Sequence, residues 1–150
     1  MIRIFLVLLV LFLSGCGFTP MYSSKNTNYK IISFEENIDN NLTNYIQNSI
    51  NVLSNENADK SFKIDLKFNE EISIILKDSK GDPKKNRLII SIDLKVLDEN
   101  EKLISTREFS ESFEYNIIDN KFNSKQYEKN IKFNLVEDIT QQILVFLANL

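Results

Sequence analysis

Between positions 62 and 77 the chain alternates almost without interruption. Phe62, Ile64, Leu66, Phe68, Ile72, Ile74 and Leu76 hold the even positions, and Lys63, Asp65, Lys67, Asn69, Glu71, Ser73 and Lys77 hold odd ones. Successive side chains of a strand point to opposite faces, so this pattern fits one long strand with a single buried face. Such a strand needs neighbours beside it and a cover on one side. Glu70 is the one polar residue on the apolar face, and we read it as a bulge or bend at mid-strand in preference to a catalytic pair with Glu71.

The rest of the domain follows from the same test of period. Residues 29–34 make a short apolar-rich run that fits a strand. Ile38, Leu42, Tyr45, Ile46, Ser49, Ile50 and Leu53 recur at steps of three and four, which predicts an amphipathic helix whose start is marked by Glu35, Glu36 and Asn37. Its other face is rich in Asn, a weak helix former, so this helix depends on docking. After the long strand, residues 78–83 are turn formers, and Leu88, Ile90, Ile92, Leu94 and Val96 alternate again. Asp98, Glu99 and Asn100 turn the chain, and Leu103, Ser105, Arg107, Phe109, Glu111, Phe113 and Tyr115 face one way along a fourth run. Leu135, Val136, Ile139, Ile143, Phe146, Leu147 and Leu150 then form one stripe at helical spacing, opposed by Glu137, Asp138 and Gln141, within a helix expected over residues 123–149. The order β-α-β-β-β-α predicts an α+β domain: a four-stranded, mainly antiparallel sheet with two helices on one face.

The amino terminus has a different logic. Arg3 precedes an unbroken apolar run over residues 4–13, followed by Ser14, Gly15 and Cys16. Ten helical residues reach about 15 Å, half of a hydrocarbon core, so the run is too short to span a bilayer. A charged start, a short apolar stretch and small residues before a cut site make residues 1–15 a secretory signal peptide. Its ending, Leu13-Ser14-Gly15-Cys16, resembles a bacterial lipobox. That resemblance implies diacylation of Cys16, cleavage before it and acylation of the new amine. A buried free thiol is the plain alternative for a lone cysteine. Acyl chains contribute about 0.8 kcal/mol per buried CH₂, so three of them make an effectively permanent anchor. The residue after the cysteine is Gly17 rather than the aspartate that favours inner-membrane retention in lipoproteins, so the expected address is the outer membrane. Residues 16–28 read as the lipidated end and a polar tether, and residues 29–150 as one domain.

Composition removes several function classes. Among 150 residues there is no histidine and only one cysteine, which excludes histidine-based triads, Cys-His pairs, HExxH zinc sites and an intrachain disulfide. Eighteen Lys and Arg against 21 Asp and Glu leave a net charge of −3, without the basic surplus that drives nucleic-acid binding. A hydrolase built on Asp, Glu, Ser and Lys needs no histidine. No GxSxG, SxxK or glycine-rich loop is present, however, with three glycines in all. We expect no enzyme, no catalytic residues, no metal and no cofactor.

Three features coincide: Cys16-Gly17-Phe18-Thr19-Pro20-Met21-Tyr22 after the lipobox, the β-α-β-β-β-α order, and Tyr115-Asn116-Ile117-Ile118 leading into a long helix. Together they resemble the LPS-assembly lipoprotein family LptE over essentially the whole chain. The resemblance implies a non-enzymatic lipoprotein of the Gram-negative outer membrane, its domain facing the periplasm and sitting partly within the lumen of the β-barrel LptD. It further implies assistance in assembling that barrel and in inserting lipopolysaccharide into the outer leaflet. Another small outer-membrane lipoprotein, acting as pilot or scaffold of a different envelope machine, shares the same format.

A barrel lumen is polar, and Lys63, Asp65, Lys67, Asp93 and Lys95 offer a mixed-charge face to it, as any one-sided soluble sheet would. Direct contact with lipopolysaccharide would need cations beside an apolar edge. Residues 77–87 carry Lys77, Lys80, Lys84, Lys85 and Arg87 against Asp78 and Asp82, a local surplus of three positive charges in an acidic chain. Lys80, Lys84, Lys85 and Arg87 are therefore the candidate phosphate contacts, with a solvated hairpin tip as the plain alternative.

Overall fold

The computed structural model describes residues 27–38, 40–118 and 120–150. The expected signal peptide, Cys16 and most of the expected tether lie outside the described residues. The elements follow the expected order: β1 (Tyr29–Glu36), α1 (Asn41–Val52), β2 (Lys60–Lys77), β3 (Pro83–Leu97), β4 (Leu103–Asn116) and α2 (Lys121–Ala148). They form an α+β domain with one sheet in the spatial order β1-β2-β3-β4. β1 runs parallel to β2, and β2, β3 and β4 are antiparallel neighbours. A tight turn cannot join parallel neighbours, so α1 is the crossover between β1 and β2.

Where α1 begins is decided by its cap. Asn40 Oδ1 accepts from the amides of Leu42 and Thr43 at 2.8 and 3.0 Å, and Thr43 Oγ1 accepts from the Asn40 amide at 3.1 Å. This reciprocal capping box satisfies donors that would otherwise be orphaned at the helix start. The helix therefore starts after Asn40, three residues later than the sequence period suggests. Glu35 and Glu36 extend β1 instead, and Ile38 stays exposed.

The core lies between the helices and one face of the sheet. Ile64 sits opposite Val96, Leu66 opposite Leu94 and Phe68 opposite Ile92, and all six are essentially inaccessible. Ile46 and Ile50 of α1, with Leu135, Val136, Ile139, Ile143 and Leu147 of α2, complete the cluster. Burial of each large aliphatic side chain stabilises the fold by about 1.5–3 kcal/mol before entropy is counted. Aromatic pairs close the margins: Tyr29 stacks on Phe62 with centroids 5.6 Å apart, and Phe109 meets Phe146 edge-on at 5.8 Å.

Two expectations are corrected here. The register of β2 on β3 runs unbroken through Glu70, opposite Ile90, so no bulge accommodates the carboxylate; the irregularity falls between Ile74 and Leu76. Glu70 is held on the core side by a cation from above: Lys132 Nζ of α2 lies 2.5 Å from its Oε1. Second, the buried face of β2 ends at Phe68. Ile72 and Ile74 are 43 % and 50 % exposed, on the part of β2 beside which β1 no longer pairs. Leu76, past the irregularity, pairs with Lys85 and so belongs to the polar face of the sheet. The uncovered stretch is confined to the β2 side, because Ile90 and Leu88, opposite Glu70 and Ile72, are fully buried.

Candidate functional site

The turn end of the β2–β3 hairpin carries the four predicted phosphate contacts, and the structure sorts them into two pairs. Asp78 organises the tip: its Oδ1 accepts from the amides of Lys80 and Asp82, each at 2.9 Å, and its Oδ2 lies 3.7 Å from Lys84 Nζ. Gly81 adopts φ +89°, a left-handed conformation that an L side chain rarely tolerates, and this closes the turn. The Asp82 amide, followed by the Lys80 amide and the nearby Lys84 ammonium, holds the Asp78 carboxyl below the usual aspartate range. Lys80 has no acidic partner among the described residues.

Lys85 and Arg87 lie two residues apart on the polar face and converge on one acid. Lys85 Nζ is 2.5 Å from Glu114 Oε2, and Arg87 Nη2 is 2.6 Å from Glu114 Oε1. Those two hydrogen bonds, Lys85 first, hold the Glu114 carboxyl below its ordinary value. Glu114 arrives from β4 by strand pairing, opposite Arg87. It lowers the cationic surplus of the region, which a count over residues 77–87 could not register. A pair of cations gripping one exposed carboxylate remains available to a competing anion, since exposed ion pairs contribute only about 0–1 kcal/mol.

The apolar face of the same hairpin end lies on the opposite side of the sheet from Lys85 and Arg87. Ile72 and Ile74 form an apolar strip there. On the other side of α2, Phe113, Tyr127, Ile131, Asn134, Leu135 and Asp138 line a cleft of about 460 Å³. Between strip and core sits a charged cluster. Lys132 contacts both Glu70 and, at 3.0 Å, Glu128, while the Tyr115 hydroxyl donates to Glu128 at 3.1 Å. Burial pulls the Lys132 ammonium down, but the hydrogen bonds and charges of Glu70 and Glu128 outweigh it and leave its pKa raised. Burial, with Glu128 assisting, raises Tyr115 as well. The two carboxylates here share one lysine. The Glu128–Lys132 spacing of four was legible in the helix; their convergence on Glu70 was not.

The polar face carries paired charges: Lys95 donates to Asp65 across the strands at 3.1 Å, and Lys63 donates to Glu101 of the β3–β4 turn at 3.1 Å. Among the described residues no helix is long and apolar enough to cross a membrane.

A small mixed sheet with a crossover helix and a long carboxy-terminal helix on one face is a fold shared with solved bacterial lipoproteins. A minor lipoprotein from Acinetobacter baumannii superposes with a TM-score of 0.64 at 15 % identity, over 82 % of this chain and 93 % of that one. Lipoprotein B from Nitrosomonas europaea gives 0.64 at 14 % identity, over 89 % and 91 %. Rare lipoprotein B from Shewanella oneidensis gives 0.57 at 11 %, over 80 % and 97 %. At these identities the likeness is one of fold. No family model and no curated protein matches the sequence.

Proposed function

We propose that this protein is an outer-membrane lipoprotein, anchored through Cys16, whose domain partners and plugs a β-barrel of the LptD kind. In that role it assists assembly of the barrel and the insertion of lipopolysaccharide into the outer leaflet, and it catalyses no reaction. The observation that carries this reading is the joining of a lipobox, ending in the only cysteine, to a domain whose fold recurs in bacterial lipoproteins. The polar face supports it, since a mixed-charge surface suits a polar lumen. The hairpin end supports direct contact with lipopolysaccharide: Lys80, Lys84, Lys85 and Arg87 gather cations at one hairpin end of an otherwise acidic chain, Lys85 and Arg87 on the polar face and the apolar Ile72 and Ile74 on the other.

The test is affinity isolation from detergent-solubilised membranes, comparing the wild-type protein with Cys16→Ala. Co-purification of a large barrel together with lipopolysaccharide is expected, with an acylated amino terminus by mass spectrometry. A secretin or a lipoprotein-only complex would instead identify a pilot or scaffold. Reversal of Lys84, Lys85 and Arg87 to Glu is expected to reduce co-purifying lipopolysaccharide, and unchanged retention would remove these residues from the contact.

A further inference from the structure

Among the described residues no strand lies beside the far half of β2. β1 pairs with β2 only as far as Leu66, and one further rung is made by a side chain: Asn37 Oδ1 accepts from the Phe68 amide at 2.7 Å, and Asn37 Nδ2 donates to the Phe68 carbonyl at 3.0 Å. Phe68 therefore directs its backbone groups away from β3. In an antiparallel ladder this direction repeats every second residue while the register holds. The register holds to Ile74, so the amides and carbonyls of Glu70, Ile72 and Ile74 point to the same side, into a slot where no described residue bonds them. Asn37 closes the slot at one end and the irregularity before Leu76 closes it at the other. A gap of five residues remains, about 17 Å at the usual strand rise.

The other open edge, β4, is guarded. It carries Arg107, Glu108, Glu111 and Glu114, and α2 covers its inner side at Phe109 and Tyr115. Charges of this kind are how natural sheets discourage strand addition. Within Glu70–Ile74 the only charge without a partner among the described residues is Glu71, on the polar face, because Glu70 is taken by Lys132. On the opposite face Ile72 and Ile74 stand uncovered beside the slot.

We infer that this slot takes an extended, basic-apolar segment of a partner protein, added as a strand beside Glu70–Ile74. Backbone pairing with Glu70, Ile72 and Ile74 selects an extended chain over a helix or a lipid surface. Alternation in the segment then places apolar side chains against Ile72 and Ile74 and a Lys or Arg beside Glu71. A second copy fits less well. An antiparallel match of the slot with itself drives each hairpin tip into the strand position that the other copy's β1 and Asn37 occupy.

The test uses the full-length protein in detergent micelles, with a capped eight-residue peptide of alternating Val and Lys as probe and an alternating Val and Glu peptide as control. Amide hydrogen exchange is followed by NMR. The basic peptide is expected to slow exchange at Glu70, Ile72 and Ile74 at least about tenfold, the acidic peptide to leave it unchanged, and Glu71→Lys to weaken the basic peptide about threefold, the scale of an exposed ion pair. Ile72→Pro removes a donor that no β3 bond uses, so the fold should persist by circular dichroism while protection is lost. Glu71→Lys keeps the backbone intact and decides the matter if the proline variant misfolds. Unaltered exchange at saturating basic peptide, equal protection by the acidic peptide, or protection that rises with protein concentration in the absence of peptide would each overturn the inference.

Discussion

The two halves of β2 have similar sequence patterns and different surroundings. In the near half Ile64, Leu66 and Phe68, with Val96, Leu94 and Ile92 opposite them on β3, lie under both helices and are sealed from solvent. In the far half Ile72 and Ile74 continue the same alternation into solvent, with no strand beside them among the described residues on the side that β1 leaves. The boundary is marked by Glu70 and Lys132, an ion pair at the margin of the apolar cover. A strand pattern therefore specifies which face is apolar, while the placement of its neighbours specifies how far along that face burial extends.

The sharpest way to break this contrast is to truncate one residue on each side of the boundary. Ile92→Ala should cost about 2–5 kcal/mol in chemical denaturation, whereas Ile74→Ala should cost under about 1 kcal/mol. Equal losses would mean that Ile74 is buried in solution. Alkaline unfolding addresses the near half. Tyr29 is pushed by burial to about 12 from an ordinary 10.0, and Lys132 and Tyr115 are raised too. Above pH 10 the unfolded chain releases these protons first, so stability present below that pH should fall as pH rises toward the folded values, by about 1–2 kcal/mol near pH 12. A flat urea midpoint between pH 9 and 12 would contradict it.

The boundary itself is tested by Lys132→Ala, which leaves Glu70 and Glu128 facing each other; about 1–2 kcal/mol should be lost, and Glu70→Gln in that background should restore part of it. Asn37→Ala removes the side-chain rung on Phe68 and should cost about 1 kcal/mol, with faster exchange confined to the Phe68 amide and its neighbours. At the tip, Arg87→Gln should change stability by less than about 0.5 kcal/mol. Because the Glu114 carboxyl is held below 4.5, its small stabilising effect should be present above that pH and disappear as pH falls through the depressed folded value.

Much of this was legible because the side-chain period is a local property. The alternation over residues 62–77, the Leu135–Leu147 stripe and the turn at Asp98 each appear in a single stretch of chain, and the element order follows from them. The start of α1 was less legible, since Glu35, Glu36 and Asn37 look like a helix start until β1 pairs with β2 and claims them. The candidate cations were found by counting charge along the chain, but the pairing of Lys85 and Arg87 with Glu114 depends on a residue 27 positions beyond Arg87. The role of Glu70 escaped for the same reason, because its partner Lys132 lies on the last helix.

By itself the sequence determined the periods, the turns and the charge inventory, because each depends on residues within a few positions of one another. Only the tertiary structure decided where α1 and β1 stop relative to β2. That fact exposes Ile72 and Ile74 and leaves the amides of Glu70, Ile72 and Ile74 with no strand beside them among the described residues, while the placement of α2 brings Lys132 onto Glu70. Burial and backbone pairing are properties of neighbours brought together by folding, and the same alternating segment is core where it has them and surface where it does not.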